Sequence, residues 1–237
     1  MKDIYSEVER YLDAVIVIGI EIEFYTKKRI SIKSLQNKLG KFKIVREIGK
    51  NQYEIIIGPL ENYQTTIKAA EKVQNIIRSD HDLILEPKPF EEQPSSGTHI
   101  NINFLNKNGG NLFSKQNGQD PEILLYGIGG LLKTLKQNLK HFAPTDDALK
   151  RYTGGIHNPS KICWGYNNRT AAIRIPDSQS GGRRIEFRVP SSNCNLSDSV
   201  KAMLEGIMLG IKNKIDPGEK LYGNAFLEQY NFKKILD

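Results

Sequence analysis

Hydrophobic and polar residues alternate with period two in four stretches of this chain. In Ile18–Tyr25 (IGIEIEFY), Ile20, Ile22 and Phe24 fall on one side, and Glu21 and Glu23 on the other. Gly97–Phe104 (GTHININF) sets Ile100, Ile102 and Phe104 against His99, Asn101 and Asn103. Asn51–Ile57 (NQYEIII) sets Tyr53 and Ile55 against Gln52 and Glu54, with Glu47 a short turn upstream. Asn167–Pro190 reads as two strands joined by a polar, glycine-rich turn at Asp177–Gly182. Its first strand carries Arg169 and Arg174; its second sets Ile185, Phe187 and Val189 against Arg184, Glu186 and Arg188. Successive side chains of a strand point to opposite faces, so each stretch predicts one face in a core and one face available for chemistry.

Helical spacing occupies much of the remainder. Residues 1–13 are amphipathic, Lys27–Gly40 predicts a short helix, and Lys41–Ile57 predicts two strands around a turn at Gly49–Asn51. Asn62 has the chemistry of an N-cap before a helix reaching about Ser79. Asp82–Pro89 predicts a strand, Asn106–Gln119 a loop, and Pro121 the start of a helix reaching about Phe142. Ala143–Lys161, with Arg151, Gly154, Gly155 and His157, predicts a long loop of the kind that forms active-site flaps. Leu196–Ser197 opens the last long helix, with Met203, Leu204, Ile207, Met208 and Ile211 inward. No repeat or linker divides residues 1–237, which predicts one α+β domain. Its expected form is a curved, mostly antiparallel sheet with helices on the outer face and the site on the concave one.

Composition narrows the function class. With 38% apolar and 26% charged residues, the chain has the makeup of a soluble globular protein. No apolar run approaches the ~20 residues of a membrane span, and the charged start MKDIYSEVERYLD is unlike a signal peptide. Two cysteines, Cys163 and Cys194, fit a reducing compartment, so a cytoplasmic location is expected. The net charge of +7 admits an anionic partner. The clustered arginines lie beside carboxylates and do not interleave with stacking aromatics, which favours a small anionic substrate over nucleic acid.

The polar faces then carry the chemistry. Glu21, Glu23, Glu47, Glu54 and Glu186 with His99 offer hard oxygen donors and one nitrogen, a set suited to Mg²⁺ or Mn²⁺. Arginine is the residue for bidentate binding of carboxylate and phosphate.

Ordered motifs in the chain resemble glutamine synthetase. NRTAAIRIP, RRIEFRVP and MLEGIMLGIKNKIDPGE carry the resemblance with GIEIEF, REIGKNQYEI, PKP, SSGTHIN, GNLF, YGIGGLLK and LKRYTGG, over about residues 15–220. The resemblance implies the catalytic half of that fold and an ATP- and Mg²⁺- or Mn²⁺-dependent carboxylate–amine ligase. By motif position, Glu21, His99 and Glu186 match the ligands of the metal that bridges the ATP phosphates. Glu23, Glu47 and Glu54 match the ligands of the metal on the glutamate side. Arg169, Arg174 and Arg184 match residues holding the phosphates and the transferring phosphoryl group, and Arg151 and Arg188 match residues binding glutamate. Asn101 and Asn103 fall on the nucleotide side, as do Arg174 and Arg184.

Departures from the family pattern gather on the ammonium side. The flap glutamate six positions after the substrate arginine is His157, an expected catalytic base. A substrate-contacting asparagine is Pro94, a histidine near ATP is Asn101, and a lysine ahead of RRIE is Gly181. The family's N-terminal β-grasp domain has no counterpart, and the segment between the first two metal strands is far shorter. The resemblance therefore implies a small amino acid or carboxylate substrate with an amine other than ammonia, and an assembly smaller than the family ring or a completing partner chain. A catalytically silent nucleotide- and metal-binding or regulatory module is the competing reading.

Overall fold

A computed structural model describes residues 3–153, 158–178 and 180–236. Helix α1 (Ile4–Leu12) leads into the long strand β1 (Ala14–Thr26), then α2 (Ile32–Leu39), β2 (Lys43–Arg46), β3 (Gln52–Ile57) and α3 (Tyr63–Ser79). The Asn62 side chain caps α3 by accepting from Thr65 N at 2.8 Å, as the sequence predicts. Next come β4 (Leu83–Ile84), β5 (Thr98–Asn106), α4 (Glu122–Thr134), α5 (Leu139–Phe142) and α6 (Asp146–Leu149). Three short strands follow, β6 (Trp164–Tyr166), β7 (Ile173–Ile175) and β8 (Ile185–Phe187), and α7 (Leu196–Asn213) closes the set.

The strands form one eight-stranded sheet in the order β2-β3-β1-β5-β8-β7-β6, with β4 paired to β1. All pairings are antiparallel except β6 with β7. The four alternating stretches are thus adjacent strands. Their apolar faces, Ile16 to Phe24 on β1, Ile100 to Phe104 on β5, and Ile185 and Phe187 on β8, join α1, α3, α4 and α7 in one core. Burying one face this way fixes register, because a slip of one residue would turn every glutamate inward. Helices α4 and α7 cross at glycine: a Cβ on Gly130 would lie 2.2 Å from Gly206 O, so this contact requires bare backbone.

Four sequence expectations are corrected here. The strand expected at Asp82–Pro89 is only Leu83–Ile84, because Pro87 and Pro89 have no N–H to extend a ladder. The helix expected from Pro121 to Phe142 breaks after Thr134, whose hydroxyl turns back onto Gly130 O at 3.0 Å and competes with the helical ladder. Arg169, expected in a strand, sits in a turn, because the Asn168 side chain accepts from Thr170 N at 2.9 Å and Thr170 Oγ1 at 2.7 Å. The long loop expected at Ala143–Lys161 carries α6 and a 3-10 turn at Lys150–Thr153.

Candidate active site

Strand pairing brings the polar faces together. Glu21 lies directly across from His99, and Glu23 across from Glu54. Glu186 lies between Asn101 of β5 and Arg174 of β7. His99, only 4% exposed, is the hub: Nδ1 is 3.3 Å from Glu21 and 3.8 Å from Glu54, and Nε2 is 3.8 Å from Glu23. Donor atoms of Glu21, Glu54 and His99 all lie within 4.8 Å of one another. Glu47, on the turn after β2, is near enough for its charge to act on Glu54.

The electrostatics of this cluster are those of an anionic site in need of a cation. Burial, followed by the charges of Glu21, Glu23, Glu47 and Glu186, pushes the Glu54 carboxyl up to about 9. Burial, with the charge of Glu23, also raises Glu47. Burial acts against the charge of Glu21 too, but the hydrogen bond and charge of His99, with Asn101 Nδ2 at 3.1 Å and Arg184, hold its carboxyl down at about 2. Carboxylates forced together out of water must take up protons or share a cation. Oxygen donors with one imidazole suit Mg²⁺ or Mn²⁺, so the residues fit such an ion.

The arginines divide into two groups. Arg174 Nη1 donates to Glu186 Oε2 at 2.5 Å and Arg188 Nη1 to Oε1 at 2.6 Å, so the 1%-exposed Glu186 sits between two guanidinium groups. Despite burial, the charge of Arg188 keeps the Glu186 carboxyl below the usual range. Arg184 is half-buried and donates from Nε to Asn101 Oδ1 at 2.7 Å. Asn101, Asn103, Arg184 and Glu21 line a cavity of about 390 Å³ together with the apolar Val17, Ile56, Pro59 and Leu105. Arg151 is fully buried, with Nη1 donating to Val189 O at 2.7 Å and Pro190 O at 2.9 Å, and burial draws its guanidinium below the ordinary value. Arg169 is exposed, and its charge is felt at Glu47. His157 lies outside the described residues.

Several supporting residues were not legible in the sequence. Gly97 N donates to Glu23 Oε2 at 2.6 Å, and Asn167 Oδ1 accepts from Arg174 Nη2 at 2.6 Å. Asp120 pairs with Arg183 and accepts from the Tyr166 hydroxyl, and Asn111 Nδ2 donates to Arg183 O at 2.7 Å. These bonds tie the Asn106–Gln119 loop to the segment that presents Arg184. Asn167 gave one local signal, since Asn tolerates the left-handed turn it adopts at φ 48°.

The family described as glutamine synthetase, catalytic domain, matches residues 36–235. γ-Glutamylputrescine synthetase PuuA of Escherichia coli (strain K12) is 30% identical over 190 residues, covering 78% of this chain and 40% of that protein. Glutamine synthetase of Pyrococcus woesei is 36% identical over 188 residues, covering 76% of this chain and 42% of that protein. A solved structure described as apo GmaS without ligand shares the fold, with TM-score 0.80 at 20% identity over 98% of this chain and 62% of that one. The chain spans about two fifths of the length of the curated relatives it matches. Among the described residues, no helix is long and apolar enough to cross a membrane.

Proposed function

This chain belongs to the glutamine synthetase family, and on that premise we propose that it is an ATP-dependent ligase joining glutamate or a similar acid to an amine other than ammonia. The observation that carries the proposal is the cluster of Glu21, Glu23, Glu54 and His99 beside the Glu186–Arg174–Arg188 group. Such a combination suits transfer of a phosphoryl group to a carboxylate, where positioning and charge neutralisation supply most of the catalysis.

In this reading Glu21, His99 and Glu186 would hold one divalent ion, and Glu23, Glu47 and Glu54 another. The ions would supply positive charge to the ATP phosphates and to the acid. The nucleoside would occupy the cavity of about 390 Å³, its base against Val17, Ile56 and Leu105, with Asn101 and Asn103 offering hydrogen bonds. Arg184, at the rim of that cavity, would neutralise the phosphates together with Arg174 and Arg169. Arg151 and Arg188 would bind the acid at the opposite end, where Arg151 feels the charges of Glu23 and Arg188. A carboxylate oxygen then attacks the γ-phosphorus, its P–O bond forming as the bond to the β-phosphate breaks and ADP leaves. The amine nitrogen next attacks the acyl carbon, and phosphate departs. His157, an imidazole that titrates near neutral pH, is the proposed acceptor of the amine proton.

Phosphate release from ATP, measured across a panel of acids and amines with products read by mass spectrometry, tests this. The expected result is metal-dependent release with glutamate or a close analogue plus an organic amine. Efficient glutamine formation from glutamate and ammonia would refute the altered acceptor. ATP binding without turnover by any pair would establish a silent module.

A further inference from the structure

A cavity of about 820 Å³ lies between the Asn167–Thr170 turn and the C-terminal segment at residues 221–226. That segment is strapped to the turn: Asn168 Nδ2 donates to Gly223 O at 2.7 Å, and Ala225 N donates to Thr170 Oγ1 at 2.9 Å. Tyr166, Leu221, Tyr222 and Phe226 give the cavity an apolar, largely aromatic wall, and Asn167 and Arg169 supply its polar side. Two links join it to the cluster. Asn167 holds Arg174, which is paired with Glu186, and the charge of Arg169 reaches Glu47.

We infer that this cavity is the acceptor subsite and that it takes a monoamine with an aryl or branched-alkyl body. The inference rests on the ligase reading and names its second substrate. Aromatic walls gain most from a flat apolar body. The charge of the cavity disfavours diamines. Among the described residues its lining includes Arg169 and no Asp or Glu, and Lys220 stands beside it, 4.9 Å from the centre of the Tyr166 ring. The distal ammonium of a diamine would meet no carboxylate there. Nearby Arg169 also disfavours the protonated form of an amine, so the nucleophile is held as the free base. Its lone pair forms the C–N bond as the acyl C–O bond breaks. Phosphate leaves with that electron pair, and the surplus N–H proton passes to the imidazole base of the ligase reading.

The test uses the full chain with 2-phenylethylamine, methylamine, putrescine and ammonia. Phosphate release with ATP, Mg²⁺ and glutamate is measured, and 2-phenylethylamine binding is followed separately by calorimetry without ATP. A kcat/KM about tenfold or more above that of methylamine and putrescine is expected for 2-phenylethylamine. Phe226→Ala should lose that advantage through KM and weaken direct binding about tenfold. Tyr11→Ala, which removes an aromatic 55% exposed on α1, should change neither. Direct binding weakened by Phe226→Ala, with no turnover from any amine, would keep the subsite and reject the ligase reading. Equal or better turnover with putrescine or ammonia overturns the inference, as does 2-phenylethylamine binding that is absent or indifferent to Phe226→Ala.

Discussion

Glu186→Ala is expected to lower the melting temperature by roughly 10 °C. Glu186 is 1% exposed, and its two oxygens accept from Arg174 at 2.5 Å and Arg188 at 2.6 Å. Those side chains are themselves 15% and 3% exposed, so deleting the carboxylate removes the ion pairs it makes with two guanidinium groups held largely out of water. Breaking a buried pair by removing one partner costs about 3–5 kcal/mol, more than the pair contributes relative to apolar replacements. Glu186→Gln keeps an acceptor oxygen and the shape, so it should lose distinctly less. Melting curves of the three proteins check this, and Glu186→Ala melting with the wild type would contradict the buried pairing.

The chelated protein should lose stability as pH rises from about 4.5 to about 9. Glu54 provides the reason: burial and its acidic neighbours raise its carboxyl from 4.5 to about 9 in the fold. Below that window both folded and unfolded states hold the proton, and the group contributes nothing to the difference. Within it the unfolded chain releases a proton that the folded chain retains, so the fold weakens steadily and then levels off above the folded value. Glu47, also raised, adds to the same slope. Glu21 acts elsewhere: its carboxyl, held at about 2, contributes stability that is lost only as pH falls from about 4.5 toward 2. Urea unfolding at a series of pH values in chelator reads the slope, and Glu54→Gln should flatten it. Adding Mn²⁺ should flatten it as well, since the bound cation takes the place of the proton. A slope indifferent to both changes would remove the electrostatic case for a cation site.

The parity of the sequence made the site face readable. Alternation in Ile18–Tyr25 and Gly97–Phe104 puts Glu21, Glu23 and His99 opposite a core, and strand pairing then sets Glu21 beside His99. A single period-two pattern specifies both features, because the same buried face that drives folding fixes which side chains remain outside. Side-chain partners across long sequence gaps left no such trace. Asp120 and Arg183 are separated by 63 positions, and nothing local marks them as a pair. Arg169 was misplaced because a polar run beside a strand looks like strand until the Asn168 side chain closes its turn. Arg151 reads as an arginine on a flap loop, yet it is buried on Val189 and Pro190 carbonyls that only the tertiary fold brings near.

Titration calorimetry of ATP into the protein, with Mg²⁺ or with chelator, tests the central claim most directly. Binding that requires the cation, and that falls at least about a hundredfold in Glu54→Ala, is the predicted result for a carboxylate cluster sharing its cation with phosphate oxygens. ATP affinity unchanged by chelator and by Glu54→Ala would contradict it.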